Sequence, residues 1–376
     1  MGACNSCGKS GPDVSDNIGY CVKCIRSRFR ELWPQILQIH KTSRETYQLP
    51  PLPQYSRDGI RCTTCTQGCK IQENTFGFCG VRKVLNGKVV GGDPDDGIYE
   101  VSDLPFFEDY ISILSHAQET SHMKTDQTTQ NTAQHAHKMI AVFYHGCSFN
   151  CFYCPHPQVR APVAHPQKNN AKDLAKLIDE DTRGMFFCSG GNTPYVFHAL
   201  ETAELAVKSR GGHNLRVFWE TNGDVKERYM RRMAEISLQT GGCVILNFRA
   251  WSQPIHFSLC GLDNVETQKN LEILLEYHKQ RTDPPFLIVN TPLVPGYIDD
   301  EEVKSLARFI NFLDSEIPYT LSALKPSFYL NDLPITSKSH ALRSIEVAES
   351  FGLKRVSIVN QELLSEAYEP EHLISI

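Results

Sequence analysis

From Met139 onward the sequence alternates short apolar runs with longer stretches of helical periodicity, and this alternation constrains the fold more than any other feature. The apolar runs at 140–144, 185–188, 215–220, 243–248, 286–291 and 319–324 are too short for helices and rich in β-branched and aromatic residues, so they predict strands. Helical patterns fall between them, at 171–179, 194–209, 225–240, 264–280 and 301–313, with a sixth at 339–351 and a last short strand at 355–359. Strands that alternate with helices form parallel βα units, and the right-handed crossovers of six such units curl them into a partial barrel. The expected fold is therefore α/β, a partial (βα)6 TIM-like barrel whose functional loops lie at the carboxyl ends of the strands.

Fourteen cysteines mark the chain. Eleven fall into three groups: Cys4, Cys7, Cys21 and Cys24; then Cys62, Cys65, Cys69 and Cys79; then Cys147, Cys151 and Cys154. The N-terminus has no basic-then-apolar leader, so short cysteine spacings read as metal chemistry in a reducing compartment rather than as a disulfide scaffold. The first group separates two C-x2-C pairs by thirteen residues, the pattern of a structural zinc ribbon. Its ordinary role is to hold a small fold together. The second group, C-x2-C-x3-C-x9-C, suits a tetrahedral zinc or iron site or an auxiliary iron–sulfur cluster, and spacing does not choose among them.

These features divide the chain into a ribbon-like region (1–48), a second cysteine-rich region (49–114) entered through the Pro-rich stretch LPPLPQYS, a polar insert (115–138), the barrel (139–330) and a C-terminal helix–strand extension (331–376). The insert is Thr-, Gln- and His-rich with few large apolar residues, and is expected to be a flexible segment or lid. Its histidines, His116, His122, His135 and His137, are irregularly spaced, as solvated side chains are. Cys188 and Cys243 border apolar strands and read as buried thiols. Cys260, in FSLCGLDN, is either another buried thiol or a hydrogen-atom relay.

The strongest motif is HGCSFNCFYC, where Cys147, Cys151 and Cys154 follow the first strand as C-x3-C-x2-C. Three thiolates on one loop suit three irons of a cubane and leave the fourth iron open to a chelating small molecule; zinc ligation and buried free thiols are the alternatives. With an aromatic residue, Tyr153, before the third cysteine, the motif resembles the hallmark of the radical S-adenosylmethionine (SAM) superfamily. The resemblance implies a 4Fe-4S cluster on Cys147, Cys151 and Cys154 whose open iron chelates SAM. Reductive cleavage would then give a 5'-deoxyadenosyl radical that takes hydrogen from a substrate, with Tyr153 lying against the adenine.

The resemblance extends along the barrel. CSGGNTP, after the second strand, is similar to the family's GGEP motif, which binds the methionine amino group; Gly190 and Gly191 permit close backbone approach, while Asn192 and Thr193 replace the usual Glu. WETNGD puts Glu220 and Asn222 where the family hydrogen-bonds the cofactor's ribose and carboxylate, although a helix-capping turn would look the same. Arg249, after strand four, is placed to pair with a cofactor or substrate carboxylate, or else forms a surface salt bridge. NTPLVPG, with Val294, is similar to the segment that packs on the adenine, or is a plain strand-to-helix turn. The second cysteine group looks like the preface to the radical domain in enzymes related to pyruvate formate-lyase activating enzyme, including the AmmeMemoRadiSam-type proteins.

This family likeness implies an activase-like enzyme that abstracts hydrogen from a protein or peptide, with an electron donor such as flavodoxin or ferredoxin. A second reading is a radical C-methyltransferase of the kind that modifies methyl-coenzyme M reductase. No DxHxxG motif is present, but cobalamin held by the radical domain itself would leave no signature. A third reading is a non-catalytic metal-binding module on a decayed barrel, against which the intact cysteines and glycines argue. A net charge of −5 without a dense basic cluster gives no footprint for nucleic acid, and no apolar run is long enough to cross a membrane. The expected location is cytoplasmic.

Overall fold

A computed structural model describes residues 1–114, 137–160, 168–188, 190–212 and 214–366. Its centre is one eight-stranded sheet in which each strand lies beside its predecessor in the chain. The strands are β1 (Tyr99–Pro105), β2 (Lys138–Tyr144), β3 (Thr182–Cys188), β4 (Arg216–Thr221), β5 (Val244–Asn247), β6 (Leu287–Leu293), β7 (Tyr319–Ala323) and β8 (Val356–Val359). From β2 to β8 every pairing is parallel. Antiparallel β1 pairs with β2 at one edge, and among the described residues no pairing joins β1 to β8, so the sheet stays open. Every strand expected from the apolar runs is present, and the last continues the sheet rather than forming a separate extension.

The helices are α1 (Val22–Glu45), α2 (Ala171–Ala175), α3 (Val196–Ser209), α4 (Glu227–Thr240), α5 (Gln253–Cys260), α6 (Val265–His278), α7 (Asp300–Leu313) and α8 (Lys338–Ser350). α2 is shorter than the periodicity predicts, and α5 and β1 were not anticipated. Short antiparallel ribbons join Gly2–Ala3 to Ser10–Gly11, Ile60–Arg61 to Lys70–Ile71 and Lys83–Leu85 to Lys88–Val90.

Successive strand residues face opposite sides of the sheet, and the two faces differ. Val217, Trp219, Val244, Leu246, Leu287 and Val289 pack with the helices in the main core. On the other face, Met139, Phe186, Phe218, Cys243 and Ile288 form a second cluster with Tyr110, Ile113 and Leu114, which follow β1. The Tyr110 hydroxyl donates to the Gly241 carbonyl, just before β5, so this segment covers the amino-terminal end of the strands. That leaves the carboxyl-terminal end for chemistry. Cys188 and Cys243 are buried in this second cluster, as their apolar surroundings implied.

The N-terminal ribbon is not a free lobe, because its buried residues share the barrel's core. Ser15 and Asp16 donate to the Asp332 carboxylate, Tyr297 donates to the Tyr20 carbonyl (3.0 Å), and Arg26 pairs with Asp299 and Glu302. α1 carries His40, whose ring stacks on Phe152 at 3.9 Å, and Phe29 and Trp33, which pack on Phe257 of α5. The ribbon and its helix therefore brace the loop that bears Cys151 and Cys154. No helix among the described residues is long and apolar enough to cross a membrane.

Candidate active site

β2 delivers the chain to His145 at the carboxyl end of the sheet, and Cys147, Cys151 and Cys154 follow on one loop. The turn after β3 packs directly on this loop. A Cβ at Gly190 would stand 2.8 Å from Cys147 Sγ, and one at Gly191 would stand 2.3 Å from the Tyr144 carbonyl oxygen. Both contacts are too close for any side chain. The two glycines are therefore demanded by sterics, not by turn geometry alone.

Beyond them, Asn192 Nδ2 donates to the carbonyls of Glu220 (2.6 Å) and Phe187 (3.3 Å), tying the ends of β3 and β4 together. Its Oδ1 is buried and has no hydrogen-bond partner among the described residues. Thr193 Oγ1 donates to Asn222 Oδ1 (3.5 Å), and Asn222 Nδ2 donates to Ser148 Oγ (3.2 Å), beside Cys147. Cys147, Gly190, Gly191, Asn192, Thr193 and Asn222 thus form one wall.

A polar ladder crosses the same end of the sheet. Asn290 Nδ2 donates to Asn247 Oδ1 (2.7 Å), and Asn247 Nδ2 donates to Glu220 Oε1 (2.8 Å). Thr320 and Ser322 in turn donate to Asn290 Oδ1. Glu220 was legible in the sequence, whereas Asn247 and Asn290 were not singled out. They carry the same signal, a polar residue at the carboxyl end of an apolar strand.

The opposite wall holds Cys151, Tyr153, Arg249 and Cys260. Arg249 Nη1 donates to the Tyr153 hydroxyl (3.3 Å), and that hydroxyl lies 3.6 Å from Cys260 Sγ. Among the described residues Arg249 forms no surface salt bridge, and its buried Nε has no hydrogen-bond partner. Its loop is fixed by Glu302, whose Oε2 accepts from the backbone N–H groups of Trp251 (2.7 Å) and Ser252 (2.9 Å). A hydrogen bond from Cys260 brings the Cys151 thiol down to about 6 against the effect of burial, helped by the charges of Arg249 and Arg160. Burial and the neighbouring Cys151 push Cys147 up to about 12. Val294 is fully buried just after β6.

Arg160 escaped the sequence reading. Its guanidinium is buried, donates to Asn150 Oδ1 and to the Cys151 carbonyl, and interacts with the charges of all three loop cysteines. A buried cation needs anionic company, and thiolates carrying an iron–sulfur cluster supply it. Among the described residues, only Cys4, Cys7, Cys21 and Cys24 bring three or more ligand atoms within 4.8 Å of one another. Cys147, Cys151 and Cys154 do not converge as that group does, so they are not gathered for a single ion.

Residues 141–310 match the family model described as the radical SAM superfamily. This part of the chain is a radical SAM domain. Among solved structures, the chain is similar to SuiB of Streptococcus suis bound to the precursor peptide SuiA (15% identity, TM-score 0.41), over 56% of this chain and 46% of that one. It is also similar to a domain of pyruvate-formate lyase-activating enzyme from Bacteroides vulgatus (16%, TM-score 0.35; 46% of this chain, 96% of that one). A third is anSMEcpe with bound AdoMet (14%, TM-score 0.36; 57% of this chain, 60% of that one). The match spans about half the length of SuiB. No curated protein sequence matches the chain. The radical SAM domain begins inside β2 and ends in α7, so both N-terminal cysteine groups lie outside it.

The first group has the compactness of a single-ion site. Cys7 Sγ lies 3.8 Å from Cys21 Sγ, close to the roughly 3.8 Å edge of a tetrahedron with Zn–S bonds of about 2.3 Å. Cys4 is desolvated, yet backbone N–H groups of Cys21, Ser6 and Cys7 bring its thiol down to about 6.

Proposed function

We propose that this chain is a radical SAM enzyme that takes a hydrogen atom from a protein or peptide substrate. The observation that carries the reading is the packing of Gly190 against Cys147, with the unpartnered Asn192 Oδ1 nearby: one wall offers both an iron ligand and an acceptor for an ammonium group. In this reading Cys147, Cys151 and Cys154 hold a 4Fe-4S cluster. Bound together, the cluster and S-adenosylmethionine supply reductive cleavage of the sulfonium to a 5'-deoxyadenosyl radical.

The chain's own residues do the positioning. Asn192 Oδ1 accepts from the cofactor's amino group and Arg249 pairs with a carboxylate. Glu220, held by Asn247, and Asn222, held by Thr193 and Ser148, orient the ribose. Tyr153 and Val294 give the adenine an apolar seat. Arg160 balances the thiolate charge from below.

The open edge between β1 and β8 supports a large substrate, because a sheet that does not close leaves lateral access to the carboxyl ends of its strands. The test is to add to reduced enzyme and S-adenosylmethionine either the protein fraction retained by an ultrafiltration membrane or the filtrate. Release of 5'-deoxyadenosine stimulated by the retained fraction supports the substrate class. Stimulation by the filtrate alone assigns a small molecule instead.

A further inference from the structure

The second cysteine group lies against the radical site, not apart from it. Cys65 pairs in an antiparallel bridge with Val225, and Thr66 N donates to the Asp224 carbonyl (3.0 Å), so the loop after β4 carries Asn222 on one side and this group on the other. All four thiols line one recess, which Phe78, Arg82, Ser148 and Pro194 help to close. Ser148 follows Cys147 and Pro194 follows Thr193, so the two sites share a wall.

The spacing of the thiols separates this group from the first. Sulfurs on one tetrahedral ion sit roughly 3.8 Å apart, given Zn–S bonds of about 2.3 Å. Cys4, Cys7, Cys21 and Cys24 meet that condition, whereas no three of Cys62, Cys65, Cys69 and Cys79 fall within 4.8 Å of one another. The surroundings hold two buried guanidinium groups and one buried carboxylate, Asp224, which accepts from Thr66 Oγ1. Arg82 N donates to Cys79 Sγ (3.5 Å), and its guanidinium pairs with Asp93 (3.0 Å) while its buried Nε has no partner among the described residues. Arg44 is almost fully buried, lies over the Phe78 ring at 3.5 Å and donates to the carbonyls of Phe78 and Pro50, with no acidic partner among the described residues. Arg44 is therefore a buried cation beside these thiols that an occupant of net negative charge would balance. A cubane with four thiolates is anionic and spreads its ligands over four irons.

We propose that Cys62, Cys65, Cys69 and Cys79 hold an auxiliary 4Fe-4S cluster with every iron ligated by the protein, walled from the radical site by Ser148 and Pro194. Full ligation leaves no iron open, so this cluster binds no S-adenosylmethionine. The inference rests on the spacing and surroundings of these four thiols and stands or falls apart from the hydrogen-abstraction reading.

The test uses full-length protein reconstituted with iron and sulfide without oxygen. Wild type is expected to hold about eight irons and about eight sulfides, two cubanes, with zinc counted separately. The Cys147→Ala/Cys151→Ala/Cys154→Ala variant should keep about four of each, with an electron paramagnetic resonance spectrum that S-adenosylmethionine leaves unchanged. The Cys62→Ala/Cys69→Ala variant should keep about four irons whose spectrum does respond. A triple variant that holds one iron or zinc and no sulfide, or no metal at all, overturns the proposal. Should that variant fail to fold, a wild-type content of only about four sulfides, with a spectrum that S-adenosylmethionine alters, overturns it equally. Loss of the cofactor-responsive signal with four sulfides retained would count against the radical reading alone.

Discussion

Gly190 and Cys147 are packed so closely that a single added methyl group would stand 2.8 Å from the sulfur. Gly190→Ala must therefore push the thiol aside. Since displacements of about 1 Å in a reacting geometry cost on the order of 100-fold, the variant should fold with normal helix content but lose at least tenfold in 5'-deoxyadenosine formation. Unchanged turnover would show that Cys147 does not act where this packing puts it.

Asn192 holds two strand ends with its amide nitrogen, and its buried oxygen has no partner among the described residues. A lost hydrogen bond to a charged partner costs about 1.5–3 kcal/mol, so Asn192→Ala should weaken S-adenosylmethionine binding roughly 10- to 100-fold. Isothermal titration reads this directly. Affinity equal to wild type would remove Asn192 from the cofactor site.

The compact first group predicts one tightly held zinc per chain. Because Cys21 caps α1 and Cys24 lies in its first turn, losing the ion should loosen the helix that stacks His40 on Phe152. Cys7→Ser is expected to lower zinc content and the melting temperature by several degrees while leaving iron content unchanged. Zinc analysis and calorimetry on the same sample check it, and full zinc retention would contradict it.

Buried imidazoles predict sensitivity to acid. Burial lowers His198 to about 4, with its Nδ1 2.7 Å from the Tyr144 hydroxyl and its Nε2 facing the Asn169 carbonyl; burial likewise lowers His256 to about 4 and His40 to about 3. Their folded values lie below the unfolded value, so the unfolded chain takes up protons first as the pH falls. The stability they give is complete above about pH 6.5 and is lost progressively toward pH 4, on the order of 2–3 kcal/mol for a group shifted this far. Urea unfolding of His198→Gln should show a shallower loss between pH 7 and 5 than wild type. Equal slopes would show that His198 does not titrate on unfolding.

Much of this architecture was legible in the sequence because each parallel strand, covered on both faces, must be apolar nearly throughout. The short runs therefore declared themselves, and the motif residues fell at their carboxyl ends. β1 escaped because it is an edge strand, YEVSDLP, whose Glu100, Val101 and Asp103 are exposed, so it has no continuous apolar run. α5 escaped because it is short, although its start and stop signals are in the sequence: Ser252 caps it, Pro254 stands in its first turn and Gly261 ends it. Arg160, Arg44 and Arg82 were unreadable for a different reason. A single cation among surface charges has no periodicity, and only the folded chain shows that these guanidinium groups are buried beside thiols. Residues 115–136, with three of the four insert histidines, lie outside the described residues.

The most direct test of the central claim is the yield of 5'-deoxyadenosine from anaerobically reconstituted, reduced protein supplied with S-adenosylmethionine, measured beside the Cys147→Ala/Cys151→Ala/Cys154→Ala variant. The account predicts product from wild type and none from the variant. A wild-type protein that carries its full iron and sulfide yet forms no 5'-deoxyadenosine would contradict it.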